Sequence, residues 1–225
     1  NHSYNIALDN LLDITIDNFF ECIIPNNSTY LKALNKILGK KYKQKDLNNL
    51  KRLIKTFISL FKSNNHNFQS YLTILKKIKY TLNIKNYITN KNILLLTINI
   101  HLNYIEELNK NNMIDFDDMI NKCSEIINND CILHNWKYII IDEFQDTSLT
   151  KLNLIKKIIN KTNAKFLAVG DDFQSIYRFT GCDLNLFLNF NKYFEYSKIF
   201  KIINTYRNPQ ELINISGAFI MKNKK

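Results

Sequence analysis

Residues Tyr138–Ser148 read Tyr-Ile-Ile-Ile-Asp-Glu-Phe-Gln-Asp-Thr-Ser, a hydrophobic run that ends in acidic residues. Tyr138–Ile141 is rich in β-branched side chains, which indicates a buried strand of a parallel sheet. Asp142 and Glu143 follow at the carboxyl end of that strand, where open α/β sheets bind ligands. The first carboxylate can hold Mg²⁺ through water, and the second can deprotonate a water molecule that attacks a γ-phosphate. A strand that ends in an acidic surface turn would give the same pair, so the pair alone leaves both interpretations open.

Three further motifs lie around this stretch. Ile114–Met119 lies upstream, Val169–Phe179 follows a second apolar strand at Phe166–Val169, and Asn204–Pro209 follows a third at Ile199–Ile203. In this order and at this spacing, the four motifs resemble the UvrD/Rep family of superfamily 1 DNA helicases. The two downstream motifs look most like the helicase IV branch. The resemblance covers residues 113–220, about half of the chain.

The resemblance implies an α/β fold, namely part of a RecA-like P-loop NTPase motor domain with a parallel sheet and a mostly helical inserted subdomain. The expected division is 1–10 for the tail of the first part of the motor domain, 11–112 for the helical DNA-contacting insertion, 113–203 for the second part and 204–225 for the start of a second motor domain. The residues themselves support it, because strands and helices alternate from residue 136 onward, which predicts parallel βαβ units.

Helix-start signals accompany this alternation. Thr147 or Ser148 is predicted to cap a helix over 149–159, and Asp183 a helix over 184–190. Asn208 and Pro209 are predicted to supply a cap and a first-turn proline before a helix over 212–220. Upstream, residues 11–110 are predicted to form a small bundle, because apolar residues recur there at helical spacing between lysines. The acidic residues within 114–120 indicate a helix start, and no catalytic role is expected there.

The resemblance also implies roles for four residues near the strand ends. Asp142 is expected to organise Mg²⁺, Glu143 to act as the general base, and Gln174 and Arg207 to sense the γ-phosphate of ATP. An amide can donate and accept hydrogen bonds at once, and a guanidinium can clamp phosphate oxygens. The alternatives are a polar loop residue at 174 and, for Arg207, a helix-start arginine paired with Glu211.

Two aromatic residues follow the glutamine closely. Tyr177 and Phe179 can be core residues or stacking platforms for bases, and for Tyr177 the two interpretations weigh equally. The family commonly has tryptophan at the position of Phe179, stacked on a base of the translocated strand. Many relatives have arginine where this chain has Thr180, which puts one phosphate or base contact in doubt.

Positive charge is concentrated in one segment. The chain carries a net charge of +11, whereas residues 32–91 contain fifteen basic residues and one acidic residue, a net charge of +14. Such segregation predicts a face that binds nucleic acid, with Lys51, Arg52 and Lys55 as candidate contacts. The alternative is that lysine serves only solubility in a chain rich in Asn, Ile and Lys. Before the insertion, His2 and Ser3 resemble the tail of a DNA-contacting Thr-Phe-His-Ser motif, but a surface His-Ser pair is equally compatible.

The resemblance therefore predicts a 3′-to-5′ helicase that uses ATP and Mg²⁺ on single-stranded and junction DNA, in DNA repair or replication in the cytoplasm. The chain contains no Gly-x-x-x-x-Gly-Lys-Ser/Thr phosphate loop, so we expect it to be an internal piece of a longer helicase with at most trace ATPase activity by itself. The sequence has no run of eighteen apolar residues and no metal-ligand spacing among its four cysteines and four histidines. Two alternatives remain, the motor part of a helicase–nuclease and a non-catalytic nucleic-acid-binding module.

Overall fold

The computed structural model describes residues 4–8, 10–81, 83–128 and 135–222, and this part of the chain is mostly helical with short parallel strands. The strands are β1 (Asn5–Ile6), β2 (Met113–Ile114), β3 (Tyr138–Ile141) and β4 (Lys165–Ala168). The helices are α1 (Leu11–Asn18), α2 (Ser28–Leu38), α3 (Gln44–Ser63), α4 (Phe68–Thr81), α5 (Ile84–Lys110), α6 (Phe116–Asn128), α7 (Leu149–Thr162), α8 (Leu184–Leu188), α9 (Phe190–Tyr193) and α10 (Gln210–Ile220). A π-helical turn, Phe19–Ile23, continues α1.

The helical region, Leu11–Lys110, forms its own core, as the helical periodicity predicts. Ile54 and Ile58 lie one turn apart on α3 and pack with Leu96 and Ile100 of α5, all four without solvent exposure. Asparagine side chains cap two of the helices: Asn27 accepts hydrogen bonds from the first turn of α2, and Asn83 accepts one at the start of α5. Buried apolar stripes and capped helix ends therefore stabilise this region as a helical bundle.

The two ends of the helical region lie side by side. β1 precedes the region and β2 follows it, and the two strands pair in parallel with Asn5 opposite Met113 and Ile6 opposite Ile114. The helical region therefore connects two neighbouring parallel strands. An insertion that spans residues 11–112 stays a prediction.

The strand region, Tyr138–Tyr193, contains a βαβ unit, as predicted. β3 and β4 pair in parallel from Tyr138 opposite Lys165 to Ile141 opposite Ala168, with α7 as the connection. One face of the pair packs on a core of Phe144, Leu152 and Leu186. The described strands form only two-stranded sheets, so the structure holds less sheet than a complete motor domain would need.

The prediction of a buried strand at 138–141 is wrong for one of its two faces. Ile139 and Ile141 turn inward, whereas Tyr138 and Ile140 are 67% and 68% exposed. On the neighbouring strand, Leu167 is 53% exposed on the same open side. The reason is that side chains alternate along a strand and the described elements cover only one side of the sheet.

The third predicted strand, Ile199–Ile203, is also wrong. These residues have no regular secondary structure, and the side chains of Phe200, Ile202 and Ile203 are more than 80% exposed. A strand exists only through pairing, and neither sheet of the described residues includes this stretch.

The predicted helix starts hold with small changes. Ser148 caps α7 through the backbone N–H of Lys151, and Asp183 caps α8 through that of Asn185. For α10, Pro209 rather than Asn208 is the N-cap residue, and it provides no side-chain hydrogen bond. Among the described residues, no helix combines the length and the apolar character that crossing a membrane requires.

Candidate active site

The acidic pair lies at the carboxyl end of β3, where the backbone takes an unusual turn. Glu143 has φ 51° and ψ 41°, a left-handed conformation that costs a residue with a side chain about 1–2 kcal/mol. The next residue holds this turn in place, because Phe144 is fully buried and its N–H donates to the carbonyl of Val169 over 2.9 Å. The strained turn places both Asp142 and Glu143 at the surface beyond the strand.

The buried side chain of Gln145 holds the carboxylate of Glu143 through a hydrogen bond. Its side chain is 1% exposed, and its Nε2 donates to Glu143 Oε2 over 2.7 Å. Its Oε1 accepts from the backbone N–H of Asp171, at 3.0 Å, in the loop that follows β4. Sequence reasoning missed this residue, although a glutamine beside a buried phenylalanine in the acidic turn was an available signal.

The loop after β4 carries Gln174, the next predicted site residue after Asp142 and Glu143. Asp171 accepts from the N–H of Phe173 at 3.0 Å and from Gln174 Nε2 at 2.7 Å. Gln174 and Glu143 therefore lie at the same edge of the sheet, joined through Asp171 and Gln145. Parallel pairing brings this about, because the strands that precede the two loops end opposite each other.

The oxygen donors at this edge suit a Mg²⁺ ion that is bound partly by substrate phosphates and water. They do not suit a metal ion that is bound only by protein side chains. Asp142 is exposed, and its Oδ1 accepts from the N–H of Glu143 over 2.8 Å. Within the described ranges, no three His, Cys, Asp or Glu side chains come together as a metal site. Mg²⁺ commonly takes one or two carboxylates and completes its octahedron with substrate phosphates and water, and a single exposed aspartate suits that arrangement.

Arg207 stands apart from this network. It lies in an exposed bend before α10, and none of the ion pairs between described residues includes it. The alternative pairing with Glu211 is therefore also not formed. The structure does not bring Arg207 together with the other three predicted residues, which leaves its role a prediction.

The two aromatic candidates lie at the surface next to the loop. Tyr177 and Phe179 are 47% and 69% exposed, and their ring centroids are 6.1 Å apart at a tilt of 47°. Neither ring belongs to a hydrophobic core of the described residues, so core packing of Tyr177 is not observed. Two exposed rings side by side are compatible with stacking on bases.

The segment that follows these two rings contacts the helical region at the end of α3. Gly181 has φ 93° and lies so close to the end of α3 that a Cβ there would stand 2.0 Å from Ser63 Oγ. Thr150 Oγ1 also donates to the carbonyl of Ser63, at 3.0 Å. Only glycine fits this approach, so the loop that carries Gln174 continues into a fixed contact with α3.

The same end of α3 carries a buried ammonium group. Lys62 is 8% exposed and forms ion pairs with Asp115 and, at 2.8 Å, with Asp118, both at the start of α6. Burial alone would raise the pKa of Asp115, but the Lys62 ammonium and the donated hydrogen bonds, one of them from Tyr104, hold it below its ordinary value. Lys62 therefore does not belong to the predicted basic face, and the acidic residues start a helix as expected.

Two of the candidate nucleic-acid contacts on α3 form ion pairs with acidic residues that lie outside the basic segment 32–91. Lys51 pairs with Asp17 at 2.7 Å and Lys55 with Asp13 at 2.6 Å, while Arg52 is exposed beside them. The acids lie on α1, outside the segment whose charge was counted, and reduce its positive field. His2 and Ser3 lie outside the described residues.

An acidic pair and a polar loop thus lie at the carboxyl ends of two parallel strands, the edge at which open α/β sheets bind ligands. The family model for the UvrD/REP helicase N-terminal domain matches residues 5–195. The chain belongs to this family.

Curated relatives agree with this assignment. The probable DNA helicase II homolog of Mycoplasma capricolum is 38% identical over 128 residues, 54% of this chain and 17% of the relative. The ATP-dependent DNA helicase Rep of Buchnera aphidicola is 37% identical over 126 residues, 53% of this chain and 19% of the relative. DNA helicase IV of Escherichia coli is 32% identical over 117 residues, 52% of this chain and 17% of the relative. The chain therefore spans less than a fifth of the length of these three relatives.

Proposed function

We propose that the full-length protein that carries this chain is an ATP-dependent DNA helicase, and that this chain supplies its general base and part of its DNA-contacting surface. The observation that carries the proposal is the hydrogen-bonded connection of Glu143 to Gln174 at one sheet edge. Family membership supports the reaction, because relatives that match about half of this chain are named ATP-dependent DNA helicases.

In the proposed reaction, ATP binds beyond β3 and β4. Asp142 would hold Mg²⁺, which would supply positive charge near the phosphates. Glu143 accepts a proton from the attacking water, and Gln174 contacts the γ-phosphate or that water. Arg207 reaches the γ-phosphate when the surrounding motor domains are complete and stabilises its charge.

The proposed architecture is a RecA-like motor whose sheet extends beyond β3 and β4. Residues 1–10 and 113–203 would belong to the first motor domain, 204–225 would start the second, and 11–112 would be the insertion. The open face of β3 and β4 supports this arrangement, because exposed Tyr138, Ile140 and Leu167 form an apolar surface that a larger domain would bury.

The proposed substrate is single-stranded DNA next to a duplex or junction, travelled from 3′ to 5′ during DNA repair or replication in the cytoplasm. Phosphates would meet the basic side of α3 at Lys51, Arg52 and Lys55, and bases would stack on Tyr177 and Phe179. His2 and Ser3 would add a contact at the start of the insertion.

The test is hydrolysis of ATP by the full-length protein with and without single-stranded DNA, followed by strand separation on duplexes that carry a 3′ or a 5′ tail. We expect Mg²⁺-dependent hydrolysis that DNA stimulates, and separation of the 3′-tailed duplex only. The isolated 225-residue chain should give at most trace turnover, because it lacks a phosphate loop. DNA binding by the full-length protein without any ATP hydrolysis would instead support a non-catalytic module.

A further inference from the structure

Gln145 is a polar residue of the acidic turn whose side chain is almost fully enclosed. Both ends of its amide are used, the Nε2 on Glu143 Oε2 at 2.7 Å and the Oε1 on the N–H of Asp171 at 3.0 Å. A buried amide of this kind is costly unless both ends find partners, and here the partners come from two different loops.

We propose that Gln145 is a positioning residue, which fixes the carboxylate of Glu143 for proton abstraction and ties it to the loop that carries Gln174. The proposal rests on the proposed function. It adds a residue for which no role was predicted and a physical link between the base and the loop expected to sense the γ-phosphate.

The direction of the amide follows from its partners. The N–H of Asp171 can only donate, so Oε1 must face it and Nε2 must face Glu143. Because Nε2 holds one carboxylate oxygen of Glu143, the other oxygen is left to take a proton from water. Neither a carboxylate nor a methyl group at position 145 could make the same pair of bonds.

Close packing keeps the amide in this place. A Cβ on Gly170 would stand 2.6 Å from Gln145 Oε1 and 2.9 Å from Phe187 Cε2, so only glycine allows the loop after β4 to approach this closely. The connection continues through the carboxylate of Asp171 to Gln174 Nε2 at 2.7 Å. A shift of the Gln174 loop on contact with phosphate would therefore move the Asp171 N–H and, through Gln145, the carboxylate of Glu143.

The first test compares Gln145→Ala and Gln145→Glu in the full-length protein, with Gln69→Ala on the exposed side of α4 as the matched control. We expect Gln145→Ala to lower kcat for DNA-stimulated ATP hydrolysis about 10- to 100-fold, since small misplacements of a catalytic group cost up to that much. KM for ATP should change by less than about threefold, because uniform binding is not removed. The control should hydrolyse ATP like the unmodified protein.

The pH dependence separates positioning from a general structural role. In Gln145→Glu the new carboxyl group opposes Glu143 when ionised, whereas in its protonated form it can again donate a hydrogen bond. The deficit of Gln145→Glu should therefore shrink as the pH falls, while that of Gln145→Ala stays constant. Parallel pH profiles for the two variants, or an unchanged kcat in both, would overturn the proposal.

Hydrogen exchange at the Asp171 amide distinguishes a failure of the proposed function from a failure of the proposed role of Gln145. Gln145→Ala should speed hydrogen exchange of this N–H at least tenfold relative to Gln69→Ala, and this readout requires no ATP hydrolysis. Absence of turnover in the unmodified protein, with the exchange effect present, would refute the proposed function and leave the link itself standing. Unchanged exchange at Asp171 would refute the link directly.

Discussion

The helical region and the strand region differ in how they hold their important side chains. In the helical region, Ile58 and Leu96 have no solvent exposure, and the core is closed by residues of the region itself. In the strand region, Ile140 is 68% exposed, and only one face of the sheet is covered. One part of the chain thus has a core closed by its own residues, whereas the other presents its candidate site residues on a half-covered sheet.

The difference extends to the charged groups. The buried ammonium group of Lys62 in the helical region forms ion pairs with two aspartates, so its charge is compensated inside the protein. Asp142 and Glu143 are exposed and are held by the left-handed turn, by short hydrogen bonds and by Gln145. Groups that must meet a ligand are thus kept at the surface and oriented locally.

Substitution of one isoleucine in each region tests this comparison with the largest expected effect. Ile58→Ala should lower the free energy of unfolding of the 225-residue chain by about 2–5 kcal/mol, because it opens a cavity in a closed core. Ile140→Ala should cost less than about 1 kcal/mol, because its side chain is already mostly exposed. Urea unfolding followed by circular dichroism measures both.

The same pair sharpens the comparison in the full-length protein. If a larger motor domain covers the open face, the cost of Ile140→Ala rises there toward that of Ile58→Ala. An equally small cost in both proteins would mean that this face stays exposed.

A pH experiment tests the closed core of the helical region. Burial, with a further contribution from Lys62, lowers the pKa of His101 from 6.5 to about 4, while the charge of Asp115 opposes the change. The folded protein therefore binds fewer protons than the unfolded chain between these values, and stability is lost as the pH falls from about 6.5 to 4. The loss amounts to about 2–3 kcal/mol for this residue.

His101→Gln isolates that contribution, because an amide can still accept from the Tyr71 hydroxyl, which lies 2.9 Å from His101 Nδ1. Between pH 7 and pH 4, the unmodified chain should therefore lose about 2–3 kcal/mol of stability relative to His101→Gln. Asp117 acts in the opposite direction in both proteins, since burial raises its pKa to about 6, and it cancels in the difference. A constant difference across this range would contradict a buried neutral imidazole.

The smallest expected effect concerns the basic residues on α3. Arg52→Gln should lower the salt dependence of single-stranded DNA binding by about 0.7 in the logarithmic slope, the value for one lost phosphate contact. Asp17→Asn should tighten binding by less than about 1 kcal/mol, because it frees Lys51 from an ion pair at the surface. Fluorescence anisotropy over a range of salt concentrations measures both, and binding that does not depend on salt would contradict a phosphate-contacting face.

The features that the sequence predicted correctly are local ones. The apolar run at 138–141, the cap at Ser148 and the cap at Asp183 are encoded within a few neighbouring residues, and the structure has them. The parallel pairing of β3 and β4 follows from a connection of helical length between two apolar runs.

The features that the sequence could not give depend on distant partners. Lys51 meets Asp17 across 34 positions, and the Gln145 amide meets Asp171 across 26, so neither contact is visible as a motif. The stretch at Ile199–Ile203 has strand composition, but it forms no strand because pairing, not composition, makes one.

Hydrolysis of ATP by Glu143→Gln in the full-length protein, with single-stranded DNA present, tests the central claim most directly. We expect Glu143→Gln to lower kcat by about 10²- to 10⁴-fold, the contribution of a positioned general base, and to retain binding of Mg²⁺-ATP. Turnover within a few-fold of the unmodified protein would contradict the assignment of Glu143 as the base at the carboxyl end of β3.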